Sequence, residues 1–153
     1  MKILTIIITK DDVFEDVSLA SAYTGAKTDD DSGINFNRIA TIDADNNLLS
    51  RFWIQACGIV TDKLKSFITA SEIKEDSIKL TLELSGAYDD SMTPSVEKDV
   101  FSAMTAGVTA QWFAITFPDR AKEWDEKSAA LLNRAFAKLC HRRRPKRAET
   151  NNQ

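Results

Sequence analysis

The stretch from Thr93 to Leu139, TPSVEKDVFSAMTAGVTAQWFAITFPDRAKEWDEKSAALLNRAFAKL, decides the fold. Thr93-Pro94 supplies a helix N-cap and then a proline at the first helical position, where its missing N–H costs nothing. Val96, Val100, Met104, Val108, Trp112 and Ile115 recur at steps of three and four, the stripe of an amphipathic helix. Pro118 ends that helix and Asp119 starts another, lined by Trp124, Ser128, Leu131, Leu132, Ala135 and Leu139. A short break between two long amphipathic helices predicts an antiparallel hairpin, with Trp112 and Trp124 buried on facing sides of the break and Phe113 turned to another face, free for a subunit contact.

Upstream of the hairpin, Ile78, Leu80, Leu82 and Leu84 alternate with Lys79, Thr81, Glu83 and Ser85, the period of a half-buried strand. Gly86 to Met92 read as the turn after it. Asp43 is placed to cap a long helix carrying Leu49, Phe52, Trp53, Ala56, Val60, Leu64 and Phe67 on one face and ending near Thr69. Ile-rich Lys2 to Thr9 reads as a second short strand. Thr9 and Asp12 form a capping-box pattern for a helix over Lys10 to Thr24 with Val13, Val17 and Ala20 on one face, closed by Gly25. Lys27 to Gly33, with three successive aspartates, reads as an exposed loop. Two strands are too few for an independent sheet. They either pair with each other against the helices or extend a sheet in a neighbouring subunit. The expected class is therefore mainly α, a bundle of about four helices with a small β element of one or two short strands. Residues 1–147 form one domain and 148–153 a polar, flexible tail.

A chain of 153 residues and 17.1 kDa buries roughly 68 to 70% of its unfolded surface on folding, enough for a core without staples. Apolar residues at 43% and charged residues at 28% are far from a disordered composition. Cys57 and Cys140 are 83 positions apart on helical patterns, which points to free thiols and synthesis in a reducing cytoplasm. Lys10, Asp11, Asp12, Glu15 and Asp16 interrupt the run from Ile3 to the small residues Ala20-Ser21-Ala22, which argues against a signal peptide. No apolar run reaches the length of a membrane span.

Few residues offer chemistry. His141 is the single histidine and adjoins Cys140, but helix neighbours point about 100° apart, unlike a nucleophile and its base. A structural zinc site wants four Cys or His ligands, and the chain has three, scattered. Asp43, Asp45 and Asn47 open like a calcium loop, yet Leu48 stands where glycine is required and Ile54 where a bidentate glutamate is required. The five glycines form no phosphate-binding pattern. Asp89-Asp90 and Asp29-Asp30-Asp31 are read as solvated loop carboxylates rather than acid–base pairs. No catalytic residue, cofactor, metal or reaction is expected.

One local feature is sharp. From Lys138 onward, Lys138, Arg142, Arg143, Arg144, Lys146 and Arg147 stand against Glu149 alone, a net of +5, while the first 137 residues carry −8. Cations at a helix C-terminus offset its dipole, but five in six positions exceed that need and imply a negatively charged partner, protein or nucleic acid. Pro145 is read as ending the last helix and holding the residues after it extended.

The order of elements, together with VFEDVSLASAYTG (Val13–Gly25), LLSRFWIQA (Leu48–Ala56), LELSGAYDDSMTPSV (Leu82–Val96) and KLCHRRRPKR (Lys138–Arg147), resembles the head-tail connector (adaptor) proteins of tailed bacteriophages. The resemblance implies a structural virion protein at the neck. It implies a ring of copies, a dodecamer, beneath the portal, with helical faces packed subunit on subunit and Lys138 to Arg147 docked on the portal protein. Other neck or tail proteins would be further partners, and DNA would pass through an acidic channel without specific binding. The alternative expectation is a DNA-binding or DNA-packaging accessory protein that uses the basic segment.

Overall fold

The computed structural model describes residues 1–28 and 33–147. It runs β1 (Lys2–Thr9), α1 (Lys10–Thr28), α2 (Ile34–Ile39), α3 (Asn46–Leu64), β2 (Ile68–Ile73), β3 (Ser77–Leu84), α4 (Thr93–Thr116) and α5 (Pro118–Leu139). The protein is mainly helical with a small antiparallel sheet, ordered β1-β3-β2.

The expected helical hairpin is present, α4 and α5 packing against each other more extensively than any other pair of elements. Its first helix differs from a simple amphipathic one. Besides Val96, Val100, Met104, Val108 and Trp112, α4 buries Asp99, Ala103, Thr105, Ala106, Thr109, Ala110 and Phe113, because α1, α3 and α5 cover it from different sides. Ile115, expected inside, is 60% exposed. Phe113 corrects the expectation of a surface contact. It is fully buried, edge-on to Phe117 and to Trp124 across the turn. Trp124 thus faces Phe113 rather than Trp112, and it is half-buried with the Lys127 ammonium over its ring. Trp112 points the other way, its indole N–H donating to the Ile39 carbonyl of α2 at 2.6 Å. Small residues bring the two helices close. The Ser128 hydroxyl donates to the Ala103 carbonyl at 2.7 Å, and a Cβ on Gly107 would sit 3.3 Å from that hydroxyl oxygen.

The sheet has three strands, not two. β3 is central, paired with β1 from Lys2↔Leu84 to Thr9↔Ser77 and with β2 from Ile68↔Leu82 to Ile73↔Ile78. Its backbone is therefore taken up on both sides, which removes Ile78 to Leu84 as a strand free for a neighbouring subunit. Leu4, Ile6, Ile8, Ile78, Leu80, Leu82 and Leu84 face the helices and join one core with α1, α3, α4 and α5. Pairing of the strands with each other against the helices, one of the two expected outcomes, is what the chain does.

Several boundaries move for identifiable reasons. α1 passes through Gly25 to Thr28 instead of stopping there. Gly25 is buried, and a Cβ on it would lie 3.0 Å from the Phe36 Cα, so its role is close approach of α1 to α2. A turn at Asp43–Asp45 precedes α3, and the Asp45 carboxylate closes that turn by accepting the Ile42 N–H at 2.8 Å; Asp45, not Asp43, stands at the N-cap position of α3, without a side-chain capping bond. α3 stops at Leu64, leaving Phe67 half-buried in the turn before β2. Thr93 lies within α4 rather than capping it. Met92 stands at the N-cap position of α4 without a side-chain capping bond, Asp89 caps the short turn Asp90–Met92 before it by accepting the Ser91 N–H at 3.1 Å, and the Thr93 hydroxyl hydrogen-bonds the Tyr88 hydroxyl. Of the expected loop, Lys27 and Thr28 are helical, and Asp29, Asp30 and Asp31 lie outside the described residues, as does the tail 148–153.

Because Trp112 is 5% exposed and ties α4 to α2, Trp112→Ala is expected to cost about 3 to 5 kcal/mol in denaturant unfolding. A loss under about 1 kcal/mol would place the indole outside the core.

Candidate functional site

α5 ends at Leu139, well before Pro145, so that proline does not terminate the helix. The chain turns at Cys140 and then lies along the loop that leaves β3. The Arg143 N–H donates to the Ala87 carbonyl at 2.8 Å, and the Asp89 N–H donates to the His141 carbonyl at 3.4 Å, with Tyr88 and Arg142 facing each other in antiparallel register. Tyr88 is a firm base for this clip. Its ring is 2% exposed, and its carbonyl accepts the Lys2 ammonium at 2.8 Å. The clip is a backbone device, so the side chains of Arg142, Arg143, Arg144, Lys146 and Arg147 remain exposed, and none of the five forms an ion pair among the described residues.

Lys138 is placed differently from the other five cations. Its ammonium contacts the Asp99 carboxylate of α4 at 2.6 Å and the Ser95 hydroxyl, and it is largely buried. Arg134, one turn earlier on the same face of α5, meets Asp99 through two guanidinium nitrogens at 3.1 and 2.6 Å. The two-point hydrogen bonding from Arg134 holds the Asp99 carboxyl below its usual range against the opposing effect of burial, and Lys138 adds to the lowering. A carboxylate only 2% exposed is tolerable here because two cations from one face of α5, Arg134 and Lys138, pair with it.

The remaining candidates have structural partners. Asp90 pairs with Lys2 at 2.7 Å, while Asp89 binds the Ser91 hydroxyl and N–H, which lower its pKa with help from Arg143 and His141. The two carboxylates therefore serve different partners and do not share a proton. Both cysteines are free. Burial pushes the Cys57 thiol up to about 12, which keeps it protonated at neutral pH, and Cys140 is exposed. Among the described residues no group of three metal-ligating side chains gathers, and no helix is long and apolar enough to cross a membrane. A groove beside Trp53 is lined by Lys10, Asn47, Ser50, Arg51, Ile54 and Glu75. It holds no hydroxyl or thiol set against a base.

The basic run is plain in the sequence but its anchor is not, since Ala87-Tyr88-Asp89 carries no signal of pairing with residues more than fifty positions away. No family model, no curated protein and no solved structure matches the chain.

The Asp99 cluster sets an acid limit. Its folded pKa lies below the unfolded value of about 3.9, so its stabilisation is complete above that value and is lost as pH falls through the folded pKa. Unfolding measured in denaturant across acid pH should show stability falling more steeply below about pH 4 in the native chain than in Asp99→Asn. Equal slopes would mean that Asp99 is not held ionised.

Proposed function

We propose that this chain is a structural assembly protein of the head-tail connector kind, which works in a ring and docks on an acidic surface of a portal protein through Arg142, Arg143, Arg144, Lys146 and Arg147. The observation that carries the reading is the clip at Ala87–Asp89, which fixes the start of a cationic segment while leaving all five of its side chains exposed and without an ion pair among the described residues. A segment that served only to offset the α5 dipole would end within the last turn, where Lys138 already lies. Four of the five cations are arginines, whose planar forks suit two-point pairing with carboxylates. The rest of the chain is acidic, so the segment is also suited to a neighbouring copy within a ring, and an acidic wall lets DNA slide past. The resemblance to connector proteins over most of residues 10–147 supports the same class, with its neck location in the virion.

Arginine forks fit phosphates equally well, and an exposed run of them supports DNA binding or packaging assistance as the second reading. The two part on salt and on partner. For the connector reading, the chain ending at Leu139 should lose about 1 to 2 kcal/mol of stability with the two backbone bonds of the clip, remain folded, and fail to bind a purified portal ring that the full chain binds. Undiminished portal binding by the shortened chain would refute the docking role. Gel-shift of duplex DNA by the full chain, collapsing between about 50 and 200 mM salt, would favour the second reading instead.

A further inference from the structure

β1 is an edge strand, and its free side has a defined hydrogen-bonding pattern. Within a strand the N–H and C=O of one residue point the same way and those of the next point oppositely. The Asp76 carbonyl accepts Lys10 from the β1 side, whereas the Ser77 carbonyl and the Glu83 N–H bond Lys74 and Phe67 on the β2 side. Even-numbered residues of β3 therefore serve β1, and through the register these are bonded to Lys2, Leu4, Ile6 and Ile8. The N–H and C=O groups of Ile3, Thr5 and Ile7 point out of the sheet, where no backbone partner meets them among the described residues.

The two edges of the sheet are treated differently. β2 carries a bulge between Ile68 and Ala70, and Glu72 with Lys74 nearby, devices that discourage pairing. β1 has no proline, no bulge and no charge from Ile3 to Thr9, while Ile3 and Ile7 are each 63% exposed on the outer face. An eight-residue, isoleucine-rich, unblunted edge is built to pair.

We propose that β1 is an association edge whose partner is the β1 of a second copy, paired antiparallel about a two-fold axis at Thr5. The outward groups permit pairing only of odd-numbered residues with odd-numbered residues. Centred on Thr5, the pairing sets Ile3 against Ile7 of the second copy and Thr5 against its own counterpart, with every outward N–H and C=O of these residues bonded. The exposed isoleucines then cover one another, the cross-strand contact that stabilises sheets. The charges agree with the antiparallel sense. Glu83 neighbours Ile3 and Lys79 neighbours Ile7 on the outer face, so the two rows that flank the central Thr81–Thr5 row run from a glutamate of one copy to a lysine of the other. A parallel arrangement would align like charges.

The proposal is independent of the basic segment and is tested without portal or DNA. Cys140→Ser removes the exposed thiol, leaving Cys57 buried, and Thr5→Cys is added. Hydrogen-bonded antiparallel pairs have Cα atoms about 5.5 Å apart, within disulfide reach. Mild oxidation should give a species of twice the 17.1 kDa chain mass. Ile3→Cys alone should not link, but mixed with Ile7→Cys it should. In sedimentation, Thr5→Lys, which sets like charges opposite each other on an exposed face, should weaken dimerisation roughly threefold to tenfold with an unchanged monomer melt. A folded Thr5→Cys chain that stays monomeric, an Ile3→Cys chain that links to itself as readily, or a dimer untouched by Thr5→Lys would each overturn the proposal.

Discussion

Helix α4 buries twelve of its twenty-four residues, and these lie on more than one face, so no single neighbour can cover it. A helix apolar nearly all round must sit inside a domain. The rest of the architecture supplies the cover: α5 along one side, α3 and α1 on others, the short α2 over Trp112, and β1 of the sheet. Alanines, Gly107 and threonines let these neighbours approach closely, and buried Thr109 satisfies its hydroxyl on the Thr105 carbonyl one turn back.

Asp99 is the polar exception within that helix, and it defines the open end of the hairpin. Opposite the Pro118 turn, its carboxylate collects Arg134 and Lys138 from the last turns of α5. Van der Waals packing allows two helices to slide, whereas a buried carboxylate with two-point guanidinium contact has one satisfying position. The register so fixed determines where α5 ends, and with it where Cys140 to Arg143 meet the loop after β3. The exposed cations thus owe their position to a buried anion on the neighbouring helix.

An element is legible in the sequence to the degree that its residues advertise one environment. α5 was legible because Ser128, Leu132, Ala135 and Leu139 form a single stripe amid charged residues, and the face of α3 was legible in the same way. In α4 the stripe of large residues is visible but the burial of Ala103, Ala106, Ala110 and Phe113 is not, since small residues carry little signal and burial all round has no period. β2 has the sequence ITASEI and an exposed edge position, so it lacks alternation. α2 is six residues long, too short for a periodic pattern. Of the candidate site, the charge of Arg142 to Arg147 was visible in composition. The withdrawal of Lys138 into the Asp99 cluster and the backbone clip at Ala87–Asp89 depend on contacts between distant segments, which periodicity does not encode.

A rigid helical frame, centred on α4, thus presents two outward features: a clipped cationic segment and an open strand edge. Amide hydrogen exchange, resolved by residue, is the sharpest test of that frame. Amides of α4 from Val100 to Ala110 should exchange only through global unfolding, as the slowest in the protein. The Arg143 amide, bonded to Ala87, should exchange more slowly than those of Arg144, Lys146 and Arg147 beyond it. Exchange of α4 faster than that of α5, or equal rates along Arg143 to Arg147, would contradict a frame built on α4 and closed by the clip.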